Sequence, residues 1–344
     1  MALLWVEGFE GVGTATGSAP SPAGVLARKY PGIVDESLMD VEVGRLGGYC
    51  IEFNGIQYLN SPDLTTNATM VVGVAIRLAD WPVSTAMTLL AFYDGATKGM
   101  NIRVTSLGEL AVYKADTLVV TTSGVGISKG AWFYLEFKVV CGATGSYELL
   151  VGGVSVLSAS PYNTSTLTRH TAFCITQAIN NTTLPRFDDL YCLDGSGSVN
   201  NTFLGNQKVV GIVPNGDVSG SVEFTPSDVV DHYTLVNENP ATDDTGYVED
   251  DTVGHIDLWE YGSVSDLGAI AGVQINTAVR ETDATDFDLL IPVQSNGTDS
   301  DGAAQAIGST NYKTLHRVVE EDPDIAGPWT MTSINAARFG VKVG

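Results

Sequence analysis

The stretch Trp132–Cys141 reads WFYLEFKVVC and carries the clearest secondary-structure signal in the chain. Apolar side chains occupy alternate positions from Phe133 to Cys141, whereas Glu136 and Lys138 lie between them. Successive side chains of a β-strand point to opposite faces of a sheet, so this alternation predicts a strand with one face on a hydrophobic core. The fold is therefore expected to be built from sheets.

Short strands of the same kind recur on both sides of this stretch, separated by turn residues. Hairpin signals such as Ser106-Leu107-Gly108 and Gly152-Gly153 join several of them, and glycine makes up 38 of the 344 residues. This rhythm is typical of an all-β sandwich or barrel. Before residue 194 the other predicted strands are 70–78, 88–93, 101–105, 109–113, 118–122, 147–151, 154–158, 172–177 and 187–193.

The segment 194–206, DGSGSVNNTFLGN, interrupts this pattern with Gly, Ser and Asn and predicts a domain junction. We expect a first β-sandwich over residues 1–195, a linker over 196–206 and an acidic second β-sandwich over 207–344. Thr332 is expected to cap one short helix near the C-terminus, which Gly340 ends. The strands predicted after the junction are 207–213, 232–236, 256–261, 269–279, 289–294 and 313–319.

The charge of the chain excludes several classes of partner. Its 40 acidic and 17 basic side chains give a formal net charge of −23. Residues 1–199 contain 17 acids and 11 bases, and residues 200–344 contain 23 acids and 6 bases. Such a field repels phosphate groups, so we expect no nucleic-acid partner. No apolar stretch reaches the length of a membrane-spanning helix, so we expect no membrane insertion.

The residue types that usually carry catalysis are scattered. The four histidines, at 170, 232, 255 and 316, are each alone in their neighbourhood, and no Walker, Gly-x-Ser-x-Gly or His-Glu-x-x-His motif is present. Asp188-Asp189 is the most suggestive acid pair. Adjacent strand residues point to opposite faces, however, so the two are not expected to flank one glycosidic bond. The sequence predicts a protein without enzymatic activity.

The amino terminus predicts synthesis in the cytoplasm, and this bears on the state of the cysteines. No basic segment followed by an apolar run opens the sequence, so we expect no secretory signal. The cysteines have no metal-binding spacing and are expected to be buried thiols, with disulfides as the alternative. They are Cys50, Cys141, Cys174 and Cys192.

Acid-rich loops offer the oxygen ligands that Ca²⁺ requires. Near the predicted junction the candidate ligands are Asp188, Asp189 and Asp194. These loops lack the spaced acids and closing Glu of a calcium-binding loop, so solvated turns are the alternative. No other cofactor is expected.

Glycan binding by a β-sandwich needs exposed aromatic rings beside polar loop residues. The candidates for this role are Trp81, Tyr162 and Trp259, with packing in a core or at its rim as the alternative.

The segments Trp5–Glu10, Gly44–Phe53 and Trp132–Cys141, with the strand pair 147–151 and 154–157, together resemble the laminin-G or concanavalin A-like jelly-roll module. Phe187–Gly195 and the residues through 205 resemble the end of that module in structural proteins of tailed bacteriophages. His232-Tyr233, Asp243–Val248, Gly272–Gln274 and Trp329-Thr330 are similar to the same group. Both predicted domains are thus expected to be jelly rolls or related β-sandwiches.

The resemblance implies a non-enzymatic structural protein of the virion, either a head decoration or a tail-associated protein. It implies assembly in the host cytoplasm, self-association into a homo-oligomer, and docking on other virion proteins of the capsid or tail. The alternative is a lectin-like adhesin that binds a host surface glycan, with Ca²⁺ held by the acids near the junction. The step from a β-sandwich to sugar binding is an analogy, since fold does not determine function. A polysaccharide-degrading enzyme that uses an acid such as Asp189 is a third hypothesis.

Overall fold

The computed structural model describes residues 2–13, 20–32, 38–55, 57–177, 183–265, 268–283 and 287–344. The chain forms two compact units, of which the first ends at Val210 and the second includes Gly211–Gly344. The prediction of an all-β fold with a short helix near the C-terminus is confirmed. No helix in the described ranges is long and apolar enough to cross a membrane.

The first unit is a sandwich of two antiparallel sheets. Its eight-stranded sheet has the order β12-β11-β10-β5-β14-β3-β2, with β1 also paired to β14, and its six-stranded sheet has the order β4-β13-β6-β7-β8-β9. The elements are β1 (Leu3–Glu7), α1 (Pro22–Ala27), β2 (Met39–Val43), β3 (Tyr49–Phe53), β4 (Leu59–Asn60), β5 (Thr69–Leu78), β6 (Met87–Asp94), β7 (Thr97–Val104), β8 (Leu110–Lys114), β9 (Thr117–Thr121), β10 (Trp132–Val140), β11 (Gly145–Val151), β12 (Val154–Tyr162), β13 (Ala172–Gln177) and β14 (Pro185–Leu193).

The core of this unit lies between the two sheets, and the predicted strand of alternating residues is β10. Leu135, Phe137 and Val139 are fully buried in it, and the Phe137 ring stacks on Phe92 of β6 with 5.4 Å between centroids. Burying each such side chain contributes about 1.5–3 kcal/mol. Alternate residues of β10 therefore pack between the two sheets and stabilise their contact.

The opposite, outer face of the eight-stranded sheet is also covered. Glu136 of β10 and Tyr191 of β14 both lie opposite Gly73 of β5. A Cβ at Gly73 would lie 2.1 Å from Cε1 of Tyr191, so the tyrosine ring occupies the space above this glycine. From there the Tyr191 hydroxyl donates to Oε1 of Glu136 at 2.5 Å, and Glu136 is completely buried.

Residues 202–209, which we call the strap, cross this outer face without forming a strand. The Leu204 N–H donates to the Tyr191 hydroxyl oxygen at 3.1 Å, and the Gly205 N–H donates to Oε1 of Glu136 at 2.8 Å. The strand predicted over 207–213 is therefore wrong. The backbone donors of the strap are used by side chains of the sheet rather than by a neighbouring strand.

The second unit contains a seven-stranded antiparallel sheet with the order β15-β18-β27-β20-β23, in which β21 pairs with β27 and β22. Three two-stranded sheets, β16-β17, β19-β24 and β25-β26, accompany it. The elements are β15 (Pro214–Val222), β16 (Thr225–Pro226), β17 (Val248–Glu249), β18 (Ile256–Tyr261), β19 (Val273–Val279), β20 (Asp288–Leu290), β21 (Val293–Ser295), β22 (Thr298–Ser300), β23 (Gln305–Ala306), β24 (Lys313–Val319), β25 (Glu321–Asp322), β26 (Gly327–Pro328), α2 (Met331–Ala336) and β27 (Arg338–Val343).

Two local expectations for this unit need correction. Helix α2 is capped by Thr330 rather than Thr332, because the Thr330 side chain accepts the Ser333 N–H and the Ser333 side chain accepts the Thr330 N–H. The helix ends at Ala336, and Gly340, the predicted end of the helix, lies in β27. The strand predicted over 232–236 is a 3₁₀ turn, His232–Leu235. The Asp217 carboxylate accepts the N–H groups at the start of that turn and so satisfies donors that a strand would have paired.

We expect Gly73→Ala to destabilise the first unit by about 1–3 kcal/mol, because the added methyl group must displace the Tyr191 ring. Urea unfolding followed by near-ultraviolet circular dichroism measures the loss. Gly11→Ala is the matched control, since a Cβ at that position would meet nothing within 4 Å. Equal stability of the two variants would contradict the close packing of Tyr191 on Gly73.

Candidate functional site

The outer face of the six-stranded sheet carries one continuous row of side chains across all six strands. Directly opposed residues of antiparallel strands share a face, and their neighbours along the chain, such as Leu90, Phe92 and Ile102, are buried in the core. The row therefore points away from the core. In strand order it consists of Asn60, Cys174, Ala91, Asn101, Tyr113 and Leu118.

A groove of about 520 Å³ lies at the β4 end of this face. Ala172 and Cys174 contribute small side chains to its lining, and the half-buried rings of Tyr58 and Tyr93 line it as well. We call it the tyrosine groove. Its polar lining residues are Asn60, Ser61, Asp63, Thr88 and Lys98.

Polar side chains of β7 organise the face beside the groove. The Asn101 side chain is completely buried and donates to the Ala115 carbonyl at 2.7 Å. Arg103 donates from Nε to Oδ1 of Asn101 at 2.9 Å, and its guanidinium carbon lies 4.1 Å from the centroid of the Tyr113 ring. Arg103 and Lys98 both contact the exposed carboxylate of Asp116, at 2.5 and 3.5 Å. These contacts hold the side chains of Arg103 and Lys98 in place on the outer face.

Two groups in the groove, the Tyr93 phenol and the Cys174 thiol, have strongly raised pKa values. Burial raises the pKa of Tyr93 to about 12, and the neighbouring Cys174, Asp116 and Tyr58 act in the same direction. Tyr93 is therefore a neutral hydrogen-bond donor at pH 7. Burial also raises the pKa of the Cys174 thiol to about 12, so the groove contains no thiolate.

The predicted calcium ligands Asp188 and Asp189 bind Arg45. The register of β14 shifts between Asp188 and Tyr191, and Asp189 has a φ of 49°. This bulge brings both carboxylates to Arg45, whose N–H donates to Oδ2 of Asp188 at 2.7 Å and whose Nε donates to Oδ2 of Asp189 at 2.8 Å. The expectation that the two acids point to opposite faces is wrong, because it assumed a regular strand.

The third predicted ligand, Asp194, lies in a separate hydrogen-bonded turn. Its carboxylate accepts the Thr65 hydroxyl at 2.9 Å and the Ser196 N–H at 2.9 Å. Among the described residues no group of three or more His, Cys, Asp or Glu side chains is arranged to hold a metal ion. The calcium site stays a prediction.

Asp188 is unusual among these carboxylates. Burial raises its pKa from 3.8 to about 7, and the nearby charges of Asp189 and Glu10 add to the effect, whereas hydrogen bonds from the Arg45 and Asp189 N–H groups oppose it. The folded protein therefore binds a proton at this carboxyl more tightly than the unfolded chain does.

The predicted glycan-binding aromatics are not brought together. Trp81 is half-buried against the core, close to Gly108, and Tyr162 packs edge-on against Tyr147 with 5.1 Å between centroids. Trp259 lies in the second unit and is 5% exposed within its core. Burial leaves Trp259 without a free ring face, whereas the role of Trp81 and Tyr162 stays a prediction.

Two buried histidines, His232 and His170, each form a close pair, the first with an acid and the second with a cysteine. His232 Nδ1 lies 2.7 Å from Oδ2 of the fully buried Asp257, whose Oδ1 accepts two backbone N–H groups. Nε2 of His170 lies 3.1 Å from the Cys141 sulfur. Burial lowers the pKa of His170 to about 4 and raises that of Cys141 to about 11, so this pair is neutral at pH 7. Cys50, Cys141, Cys174 and Cys192 are thiols rather than halves of a disulfide, and three of them are buried.

No model of a known protein family matches the chain. No curated protein matches it in sequence. Solved structures match about half of it. An endo-β-1,4-glucuronan lyase from the fungus Trichoderma reesei is 14% identical over 48% of this chain and 91% of its own, with a TM-score of 0.37. The cellulose induced protein Cip1 is 17% identical over 53% and 95%, with a TM-score of 0.39. The alginate lyase Aly36B, bound to an alginate trisaccharide, is 13% identical over 56% and 98%, with a TM-score of 0.36.

These likenesses concern the fold, a β-sandwich or jelly roll found in proteins that act on or bind carbohydrate. The prediction that this chain is not an enzyme is contradicted, because the similar structures include a glucuronan lyase and an alginate lyase. The expected virion role has no support among the structures named here.

We expect the stability of the wild-type protein to fall relative to Asp188→Asn as the pH rises from 5 to 8. Deprotonating Asp188 costs more in the folded state, since its pKa there is about 7 against an ordinary 3.8. The relative change is on the order of 2 kcal/mol. Urea unfolding at the two pH values measures it, with Asp63→Asn as a control at an exposed carboxyl. Parallel pH profiles for wild type and Asp188→Asn would contradict the shift.

Proposed function

We propose that the first unit binds a glycan chain in the tyrosine groove. The observation that carries this proposal is the combination of two tyrosine rings with amide, hydroxyl, carboxylate and ammonium groups around a lining of small residues. Sugars present apolar C–H faces and many hydroxyls, so they need aromatic surface and mixed donors and acceptors in the same site.

The groove suits such a ligand better than an apolar one. Tyr58, Asn60 and Lys98 place polar atoms at its wall, and Ala172 and Cys174 leave room for a ring. Its volume falls within the range of small-molecule sites, and the row of outer-face residues continues from it across the sheet. A chain longer than one sugar therefore has a surface to follow.

Glycan cleavage in the same groove is the second candidate function. It is favoured by the Tyr93 hydroxyl, which lines the groove together with Tyr58 and Lys98. Breaking a glycosidic C–O bond needs a base that takes a proton from water or from the sugar and an acid that protonates the leaving oxygen, and a phenol can fill the second role. Burial raises the pKa of Tyr93 to about 12, so this activity requires that a bound ligand lower that pKa. Release of new chain ends from the bound polymer, lost in Tyr93→Phe, would establish this activity.

The finer expectations from the sequence are separate hypotheses. Display on a bacteriophage particle, with self-association and docking on capsid or tail, predicts that mass spectrometry detects this protein in purified virions. A glycan on the host surface would then be the ligand of the groove. Calcium binding near Asp188, Asp189 and Asp194 predicts a calorimetric signal on adding Ca²⁺ that chelation reverses.

We expect Tyr93→Ala to weaken glycan binding by roughly tenfold, the loss of one aromatic contact and one hydrogen bond. Affinity electrophoresis in gels containing glucuronan, alginate or a neutral arabinan measures the effect. Tyr162→Ala is the control, because Tyr162 lies on β12 of the other sheet. A loss confined to Tyr162→Ala would move the site away from the groove, and no retardation of the wild type would overturn the proposal.

A further inference from the structure

The outer face of the eight-stranded sheet carries a second cleft, of about 340 Å³, beside the strap. Trp132 and Tyr134 line it and are two residues apart on β10, whose core residues Leu135 and Phe137 lie on the other side of the strand. The cleft and the tyrosine groove therefore lie on opposite outer faces of one sandwich. The strap residues Asn206, Gln207 and Lys208 form its wall.

Arg45 fixes this cleft before any ligand arrives. Its guanidinium carbon lies 5.1 Å from the centroid of the Tyr134 ring, and its Nε donates to Oδ2 of Asp189 at 2.8 Å. The other guanidinium nitrogens donate to Oδ1 of Asn206 and to the Gln207 carbonyl oxygen. Arg45, whose side chain is 10% exposed, therefore connects the Tyr134 ring at the floor of the cleft with the strap at its wall. Such pre-ordering lowers the entropy cost of binding.

The groups left for a ligand are the half-buried Trp132 indole, the amide NH₂ of the exposed Asn206 and the exposed Lys208 ammonium. The Arg45 guanidinium already donates hydrogen bonds to Asp189, Asn206 and Gln207, so it orients the strap rather than binding a ligand through its charge. An aromatic ring, an amide and an ammonium at the mouth of a small polar cleft again match the C–H faces, hydroxyls and acidic substituents of a sugar chain.

We propose that this cleft, which we call the Trp132 cleft, is a second glycan-binding site, so that one first unit holds two glycan chains on opposite faces and bridges them. The inference rests on the proposed function for the nature of the ligand. The location of the second site is argued independently, since no residue lines both the Trp132 cleft and the tyrosine groove.

The test compares wild type, Tyr93→Ala, Trp132→Ala and the double variant in two assays. Affinity electrophoresis in glucuronan or alginate measures total binding. A bridging assay measures how much fluorescent polymer the protein retains on beads that carry the same polymer.

We expect each single variant to bind roughly tenfold more weakly and to lose bridging, and the double variant to lose binding. Trp132→Phe, which keeps an aromatic ring, should retain bridging, and thermal unfolding checks that each variant is folded.

The outcomes separate the two proposals. Full bridging by folded Trp132→Ala, or loss of all binding in Tyr93→Ala, overturns the second site while the tyrosine groove stands. Unchanged binding by Tyr93→Ala together with loss in Trp132→Ala overturns the groove and leaves the Trp132 cleft as a single site. Absence of binding by the wild type to every polymer overturns both.

Discussion

The outer face of the eight-stranded sheet depends on the contact between the Tyr191 ring and Gly73. Because Gly73 has no side chain, the ring crosses the middle strand and its hydroxyl reaches Glu136 on the next one. That hydroxyl also accepts the Leu204 N–H, so a single side chain connects three segments of the chain. Without it, a fully buried carboxylate would lose a donor, which costs more than an exposed hydrogen bond gains.

The strap follows from this contact. Its N–H groups at Leu204 and Gly205 find acceptors on Tyr191 and Glu136, and the Val209 N–H donates to Oδ1 of Asp189 at 2.7 Å. A segment held by side-chain acceptors does not need a neighbouring strand. The β-branched residues Val209, Val210, Ile212 and Val213 therefore gave 207–213 the composition of a strand without the backbone pairing of one. Composition indicates which segments can form a strand, but it does not identify the partner of each N–H group.

Strands such as β10 were predictable because half of their residues enter one core, and this burial leaves a period of two in the sequence. The tyrosine groove was not predictable in the same way. Asn60, Tyr93 and Cys174 are far apart in sequence, and only the order and register of β4, β13 and β6 make them neighbours. The Asp188-Asp189 pair was misjudged for a related reason, since a bulge breaks the alternation on which the argument relied.

Both outer faces contain polar side chains that are completely buried, Asn101 on one and Glu136 on the other. Apolar residues of similar size would cost less to bury, so each polar group must be matched by local geometry. Asn101 is matched by the carbonyl of Ala115 in the turn between β8 and β9, and Glu136 by the Gly205 N–H of the strap. In each case the buried group orders an exposed segment. The turn between β8 and β9 contains Asp116, which contacts Lys98 and Arg103. The strap forms the wall of the Trp132 cleft. The core can therefore specify the sandwich while these polar contacts specify the surfaces available to a ligand.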